Sequence, residues 1–145
     1  MRPIRFRAYA DDRKHFWAEV RVFDTQKQMC KDIKRCTGAP ANFRTAAQVN
    51  DATFYRDGRK TGAFAVMWLN RKDINKNPTE IASHESVHAA IRYFERRGWP
   101  VCLHQETRVG APDVHEHRLE ERLAYAVGRI SKYLTRGLFR HKVWA

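Results

Sequence analysis

His84-Glu85-Ser86-Val87-His88 is the stretch around which the rest of the chain is organised. It lies in a segment that predicts a helix over Pro78–Arg97, with Asn77 as the N-cap and Gly98 just past the end. Residues four apart lie one above the other on a helix, so both imidazoles can bind one metal ion. Glu85 stands beside them, about 100° round the helix, and is placed to act on water without binding the metal.

The composition is that of one folded domain, residues 1–145. A chain of 145 residues can bury a modest core, and a hydrophobic content of 43% argues against a disordered protein. No segment reaches the roughly 18 apolar residues of a membrane-spanning helix, and the N-terminus lacks the apolar centre of a signal peptide. For these reasons we expect no membrane partner. Three cysteines cannot all pair, so we expect reduced thiols and a cytoplasmic setting.

The net charge of +12 is large for a protein of this size. Such a charge predicts long-range attraction to polyanions and carries no information about the fold. The basic residues occur in short scattered clusters, and no zinc-finger or recognition-helix signature accompanies them. Non-specific nucleic-acid binding is therefore one interpretation of the charge, and a surface that only keeps the protein soluble is the other.

Alternation of apolar and polar residues predicts two strands, Ile4–Tyr9 and Trp17–Phe23. Thr25 and Gln28 then form a capping box, which opens a surface helix that ends near Arg35. No strand or helix is predicted for residues 43–50.

A hairpin is predicted next, because Asp57-Gly58 separates one arm at residues 52–56 from a second arm at residues 59–69. From residue 63 onward the second arm is apolar on both faces, so it should be a covered strand. A polar loop at residues 70–77 leads into the histidine helix. Together these elements predict an α+β fold.

The last predicted helix covers residues 114–136, with Gly137 just past its C-terminal end. The apolar stripe that should pack it on the core consists of Leu119, Leu123, Val127, Ile130 and Leu134. In the histidine helix, the corresponding anchoring residues are predicted to be Val87, Ala90, Ile91 and Phe94.

A zinc ion held by two histidines needs a third protein ligand, and a catalytic site keeps one further position open. Metzincins place glycine and histidine where this chain has Ile91 and Phe94, so that class is excluded. The remaining candidates are His104, His115, Glu116, His117, Glu120 and Glu121. Projected at about 100° per residue, Glu120 lies nearer the apolar stripe than Glu121, which shares its face with small residues. The spacing alone leaves the third ligand open.

The HExxH motif followed by Glu121-Arg122-Leu123-Ala124-Tyr125 resembles the minimal gluzincins. These are small zinc peptidase domains of the ImmA/IrrE type and related short proteins common in bacteriophages. The resemblance covers about residues 63–130 and does not extend to the N-terminal part of the chain. It implies a small zincin-like α+β domain with a short, mostly antiparallel sheet, an HExxH helix and a second, ligand-bearing C-terminal helix. In that family the matching glutamate is the third zinc ligand, which implies this role for Glu121.

The expected function is zinc-dependent hydrolysis of a peptide bond in a protein or peptide substrate, with Glu85 as general base. The metal ligands would be His84, His88 and Glu121. We expect the substrate to pair with an exposed sheet edge at residues 64–69. The candidates for stabilising the oxyanion are Tyr93, His117 and Tyr125.

Two functions from other classes fit the same motif. The zinc site could be structural in a basic, nucleic-acid-associated regulator, with His104, His115 or His117 filling the fourth metal position. The protein could also be a phage interaction protein that keeps a zincin fold without turnover. Glu85 favours hydrolysis over both, because neither alternative needs a general base.

Overall fold

The structure, a computed structural model, describes residues 2–41, 47–51, 62–101 and 114–144, without the side chains of residues 51 and 114–117. This part of the chain has an α+β fold of four strands and four helices. In chain order they are β1 (Ile4–Tyr9), β2 (Trp17–Phe23), α1 (Gln26–Thr37), β3 (Ala47–Asp51), β4 (Ala65–Asn70), α2 (Arg71–Lys76), α3 (Pro78–Arg97) and α4 (Val114–Arg140).

The four strands form one mixed sheet in the order β1-β2-β4-β3. The β1–β2 and β3–β4 pairs are antiparallel, and the β2–β4 pair is parallel. All six residues of β4 are buried, as predicted for a covered strand. The prediction that residues 64–69 offer a free edge is wrong, because β4 is hydrogen-bonded to a neighbouring strand on both sides.

Helices cover both faces of this sheet. Val66 and Trp68 of β4 point to the face that α1 covers with Met29 and Ile33. The alternate residues of β4 point to the other face, where the apolar residues of α3 and α4 complete the larger core. This layering follows from the period-2 alternation of side chains along a strand.

Local signals in the sequence placed several elements correctly. The structure has β1, β2 and α3 at their predicted bounds. The Thr25 side chain accepts a hydrogen bond from the Gln28 backbone N–H at 3.2 Å and caps α1. Gly38, with φ of 77°, ends α1 two residues later than predicted.

Two elements were missed. Residues 47–50 were not predicted as a strand, yet they belong to β3, which is defined by its pairing with β4 rather than by its own sequence pattern. Residues 70–77 were predicted as a loop, but α2 forms there because Asn70 caps the Lys72 backbone N–H at 2.9 Å and Ile74 is buried. The predicted hairpin arm at residues 52–56 and the Asp57-Gly58 turn lie outside the described residues.

The predicted end of α4 is also wrong, because the helix continues through Gly137 to Arg140. A Cβ atom at Gly137 would overlap the ring of Phe6 on β1. The glycine therefore allows a close approach of α4 to the sheet and does not stop the helix. Leu119, Ile130 and Leu134 are buried as predicted.

Within the described ranges, no helix combines the length and the apolar character needed to cross a membrane.

Candidate metal centre

The local sequence of α3 determines how the HExxH motif is presented. Pro78 occupies the start of the helix, and Gly98, with φ of 68°, ends it in the left-handed conformation. The buried residues are Ala82, Glu85, Ser86, Ala89, Ala90, Tyr93 and Phe94. The predicted anchoring stripe is correct at Ala90 and Phe94 and wrong at Val87, which is 44% exposed. The core face is therefore rotated from the predicted one and includes Glu85.

His84 and His88 lie on the exposed side of α3. Their Nε2 atoms are 3.0 Å apart, and their ring centroids are 4.7 Å apart. Two histidine nitrogens bound tetrahedrally to one zinc ion at about 2.0–2.1 Å would be about 3.3 Å apart. The two rings thus converge to nearly the separation that chelation of one metal ion requires.

The electrostatic surroundings favour neutral His88. Burial lowers the pKa of His88, and the neighbouring His84 and Arg92 lower this pKa further. A neutral imidazole is the form that binds a metal, so less competition from protons is expected at this ligand.

Glu85 lies between the histidine face and the core. Its exposed fraction is 7%. Burial raises the pKa of the Glu85 carboxyl, and the charge of the adjacent His84 offsets part of this rise. A carboxylate with a raised pKa is a stronger proton acceptor, which suits a general base.

The third ligand is not assembled in the described part of the chain. Among the side chains described, no group of three or more His, Cys, Asp or Glu residues could hold a metal ion. Glu120 and Glu121 are both exposed on α4. His104 and the side chains of residues 115–117 lie outside the described residues. The structure thus brings together His84 and His88 and places Glu85 beside them, and it does not add Glu121 to the pair.

The contacts between α3 and α4 explain this separation. Arg122, Tyr125 and Arg129 of α4 line a cavity together with Tyr93, near the C-terminal end of α3. Tyr93 follows His84 by nine residues, which places it about 180° round the helix from the first histidine. These α4 residues therefore lie on the side of α3 opposite the histidine pair, and two candidates for the oxyanion, Tyr93 and Tyr125, lie there with them.

Comparison of the chain with protein-family models, with curated proteins and with solved structures gave no match.

Proposed function

We propose that the protein is a zinc-dependent, peptidase-like hydrolase of the gluzincin type. The observation that carries this proposal is the convergence of His84 and His88, with Nε2 atoms 3.0 Å apart on an exposed helix face beside the buried Glu85. The two imidazoles would hold the metal. A zinc ion held there would supply Lewis-acid chemistry, which would polarise a substrate carbonyl and lower the pKa of bound water.

The proposed role of Glu85 is proton transfer. Its buried carboxylate accepts the proton of the attacking water and returns it to the leaving amine. The raised pKa of Glu85 supports this role, because proton transfer is most efficient when the pKa of the base lies near the working pH.

Glu121 is the third metal ligand in this proposal, as the resemblance implies. It is exposed and does not form a three-residue group with the histidines. Its coordination therefore requires the N-terminal part of α4 to approach the histidine face when zinc binds. Glu120 and the histidines at positions 104, 115 and 117 are the alternative ligands.

The proposed substrate is a protein or peptide segment in extended conformation. Among the described strands, β3 lies at an edge of the sheet, next to β4, and α3 packs beside it. An extended peptide that pairs with the outer edge of β3 would lie next to the histidine helix, held by main-chain hydrogen bonds. The strand proposed to bind the substrate is therefore β3 and not β4.

A cytoplasmic setting, in the bacterial host if the protein is phage-encoded, is also part of the proposal. Within the described ranges, the Cys36 side chain is a free thiol. Reduced cysteines are typical of cytoplasmic proteins, where thiol-reducing systems keep disulfides rare.

We expect the protein, purified without added metal, to contain about one equivalent of zinc, because two histidines four residues apart on a helix form a chelating pair. Elemental analysis measures this content directly. His84→Ala should abolish zinc retention, whereas His15→Ala, at an exposed histidine on another part of the chain, should leave it unchanged. Absence of zinc together with no uptake on titration would refute the proposal.

We expect Glu121→Ala to weaken zinc binding by more than the ~10–100-fold typical of losing an outer-shell partner of a metal ligand. The adjacent Glu120→Ala is the matched control, since both side chains are exposed on α4, and it should bind zinc normally. Competition with a chromogenic chelator measures both affinities. If only Glu120→Ala weakens zinc binding, Glu120 is the third ligand. If neither change weakens it, the third ligand is another residue.

A regulator with structural zinc and an interaction protein without turnover share the expected zinc content. Neither of these two functions needs Glu85. The Glu85→Gln variant should therefore keep them, whereas it should lose the proposed hydrolysis.

A further inference from the structure

A second surface of the protein, remote from the histidine pair, combines basic and aromatic side chains. One part is a cavity of about 350 Å³ between β1 and the C-terminal half of α4. Among the described residues, none that lines it carries a carboxylate. The basic and tyrosine side chains that line it are Arg7, Tyr9, Lys14, Tyr133, Arg136 and Arg140.

The other part is the cavity of about 340 Å³ near the C-terminal end of α3. Three arginines there contact aromatic rings. Arg97 and Arg122 lie 4.6 and 4.7 Å from the ring centroid of Trp99, and Arg129 lies 5.4 Å from that of Tyr125. Tyr125 is 60% exposed, so much of its ring is accessible to a ligand.

The two cavities are neighbours along the same helix. Arg129, in one cavity, precedes Tyr133, in the other, by one helical turn. The stretch from Arg122 to Arg140 is about 27 Å long at 1.5 Å per residue. We refer to the two cavities together as the basic–aromatic groove.

The positive charge of the groove is largely uncompensated. Within the described ranges, Lys14, Arg136 and Arg140 form no ion pair with a carboxylate. Arg129 pairs with Asp12 at 2.9 Å, but Asp12 is 79% exposed, so this ion pair is easily exchanged for another partner. Guanidinium groups that contact a ring through their faces keep their in-plane N–H donors available for phosphate.

We propose that the basic–aromatic groove binds single-stranded nucleic acid, with phosphates on the arginines and an unpaired base stacked on the exposed ring of Tyr125. Basic side chains alone would serve a duplex equally well, but the alternating aromatic rings favour single strands, whose bases have free faces. The net charge of +12 gives the long-range attraction for such a polyanion. This proposal does not depend on the metal or on hydrolysis.

The first test removes phosphate contacts. Fluorescence anisotropy with a labelled oligonucleotide of about 12 nucleotides, a length within the ~4–16-nucleotide footprints of single-strand binding folds, should give an affinity that falls with salt. Arg136→Ala with Arg140→Ala should weaken binding and reduce the slope of log K against log salt by about 1.4, or ~0.7 for each lost phosphate contact. Lys31→Ala with Lys34→Ala removes two charges from exposed positions of α1, on the other face of the sheet, and should leave the slope unchanged.

The second test removes a stacking surface. Tyr125→Ala should weaken binding roughly tenfold, as expected for the loss of one stacked base, whereas Tyr125→Phe keeps the ring and should bind like the wild type. Asp12→Asn should strengthen binding, because it releases Arg129 and removes a carboxylate from the groove.

Four results would overturn the proposal. The first is no oligonucleotide binding at about 50 mM salt, where such contacts are strong, and the second is an equal loss of affinity in the α1 and α4 double variants. The third is equal affinity of Tyr125→Ala and Tyr125→Phe for the oligonucleotide, together with duplex binding as tight as single-strand binding. The fourth is displacement of the oligonucleotide by an equal charge concentration of polyglutamate. The third result would assign the groove to duplex backbone, and the fourth to an acidic protein.

Discussion

Replacing Glu85 by glutamine is expected to lower peptide hydrolysis by about 10²–10⁴-fold while zinc remains bound. The substitution removes the proton acceptor and leaves both imidazoles in place. A mixture of internally quenched fluorescent peptides measures the rate, and elemental analysis measures the zinc content. Equal rates for the two proteins, or no turnover of any peptide by zinc-loaded wild type, would contradict the proposed hydrolase.

The fold of this variant should be intact. Burial raises the pKa of Glu85, so the folded protein disfavours the charged carboxylate at this position, and neutral glutamine removes that penalty. The Tm of Glu85→Gln should therefore be equal to or above that of the wild type, as is common when a functional group is replaced. Glu80→Gln, at an exposed position in the first turn of the same helix, is the matched control and should leave the rate unchanged. Loss of zinc from Glu85→Gln would make Glu85 a ligand.

The parts of the fold that were predicted correctly are those with local causes. Pro78 and Gly98 mark the ends of α3, and alternation marks β1 and β2. In contrast, β3 depends on hydrogen bonds to β4. Gly137 carries the sequence signature of a helix end, yet it lies inside α4 because Phe6 packs against it from another strand. Contacts between distant segments therefore account for these errors.

The candidate site also has one part with a local cause and one part that depends on contacts between distant segments. The convergence of His84 and His88 follows from the geometry of one helix, so the sequence predicts it. The third ligand depends on how α3 and α4 cross, and no local pattern defines that crossing. The burial of Glu85 was missed because the predicted stripe included Val87, which is exposed.

The basic–aromatic groove had a weak signal in the sequence. Arg122, Arg129, Arg136 and Arg140 recur at intervals of seven, seven and four residues, which places them near one side of a helix. The overall charge alone does not reveal this recurrence, because basic residues also occur in short clusters elsewhere in the chain. The groove also needs Tyr9 and Lys14 from the N-terminal part of the chain, and only the packing of β1 against α4 brings them together.

Replacing Asp32 by alanine is expected to be among the most destabilising single changes in this protein. Asp32 connects α1 to the sheet from the face opposite α3 and α4. Its Oδ2 atom accepts hydrogen bonds from Arg21 at 2.7 Å and from the Trp68 indole N–H at 2.8 Å. Its Oδ1 atom accepts one from Arg35 at 2.7 Å. The Arg21 side chain is buried and the Asp32 side chain is mostly buried, with exposed fractions of 4% and 11%.

The expected cost of Asp32→Ala is about 3 kcal/mol, the lower end of the range observed when one partner of a buried ion pair is removed, because Arg21 keeps its ion pair with Glu19 at 2.8 Å. A domain of this size has a total stability of roughly 5–15 kcal/mol, so a large part of it would be lost. Urea denaturation of the wild type and the variant measures the difference. Glu95→Ala breaks the exposed Arg92–Glu95 pair and is the control, with an expected cost of at most about 1 kcal/mol. A cost for Asp32→Ala as small as that of the control would contradict the prediction.

The pH dependence of this effect has a defined sign. Burial alone would raise the pKa of Asp32, but the hydrogen bonds from Arg35, Trp68 and Arg21 outweigh it and hold the pKa below the ordinary value of 3.8. Since the folded protein binds this proton more weakly than the unfolded chain, the stabilisation is present above pH 3.8 and is lost as the pH falls through the lowered pKa. The difference in unfolding free energy between wild type and Asp32→Ala should therefore be constant near neutral pH and shrink in acid. A difference that grows on acidification would show that Asp32 is protonated in the folded protein.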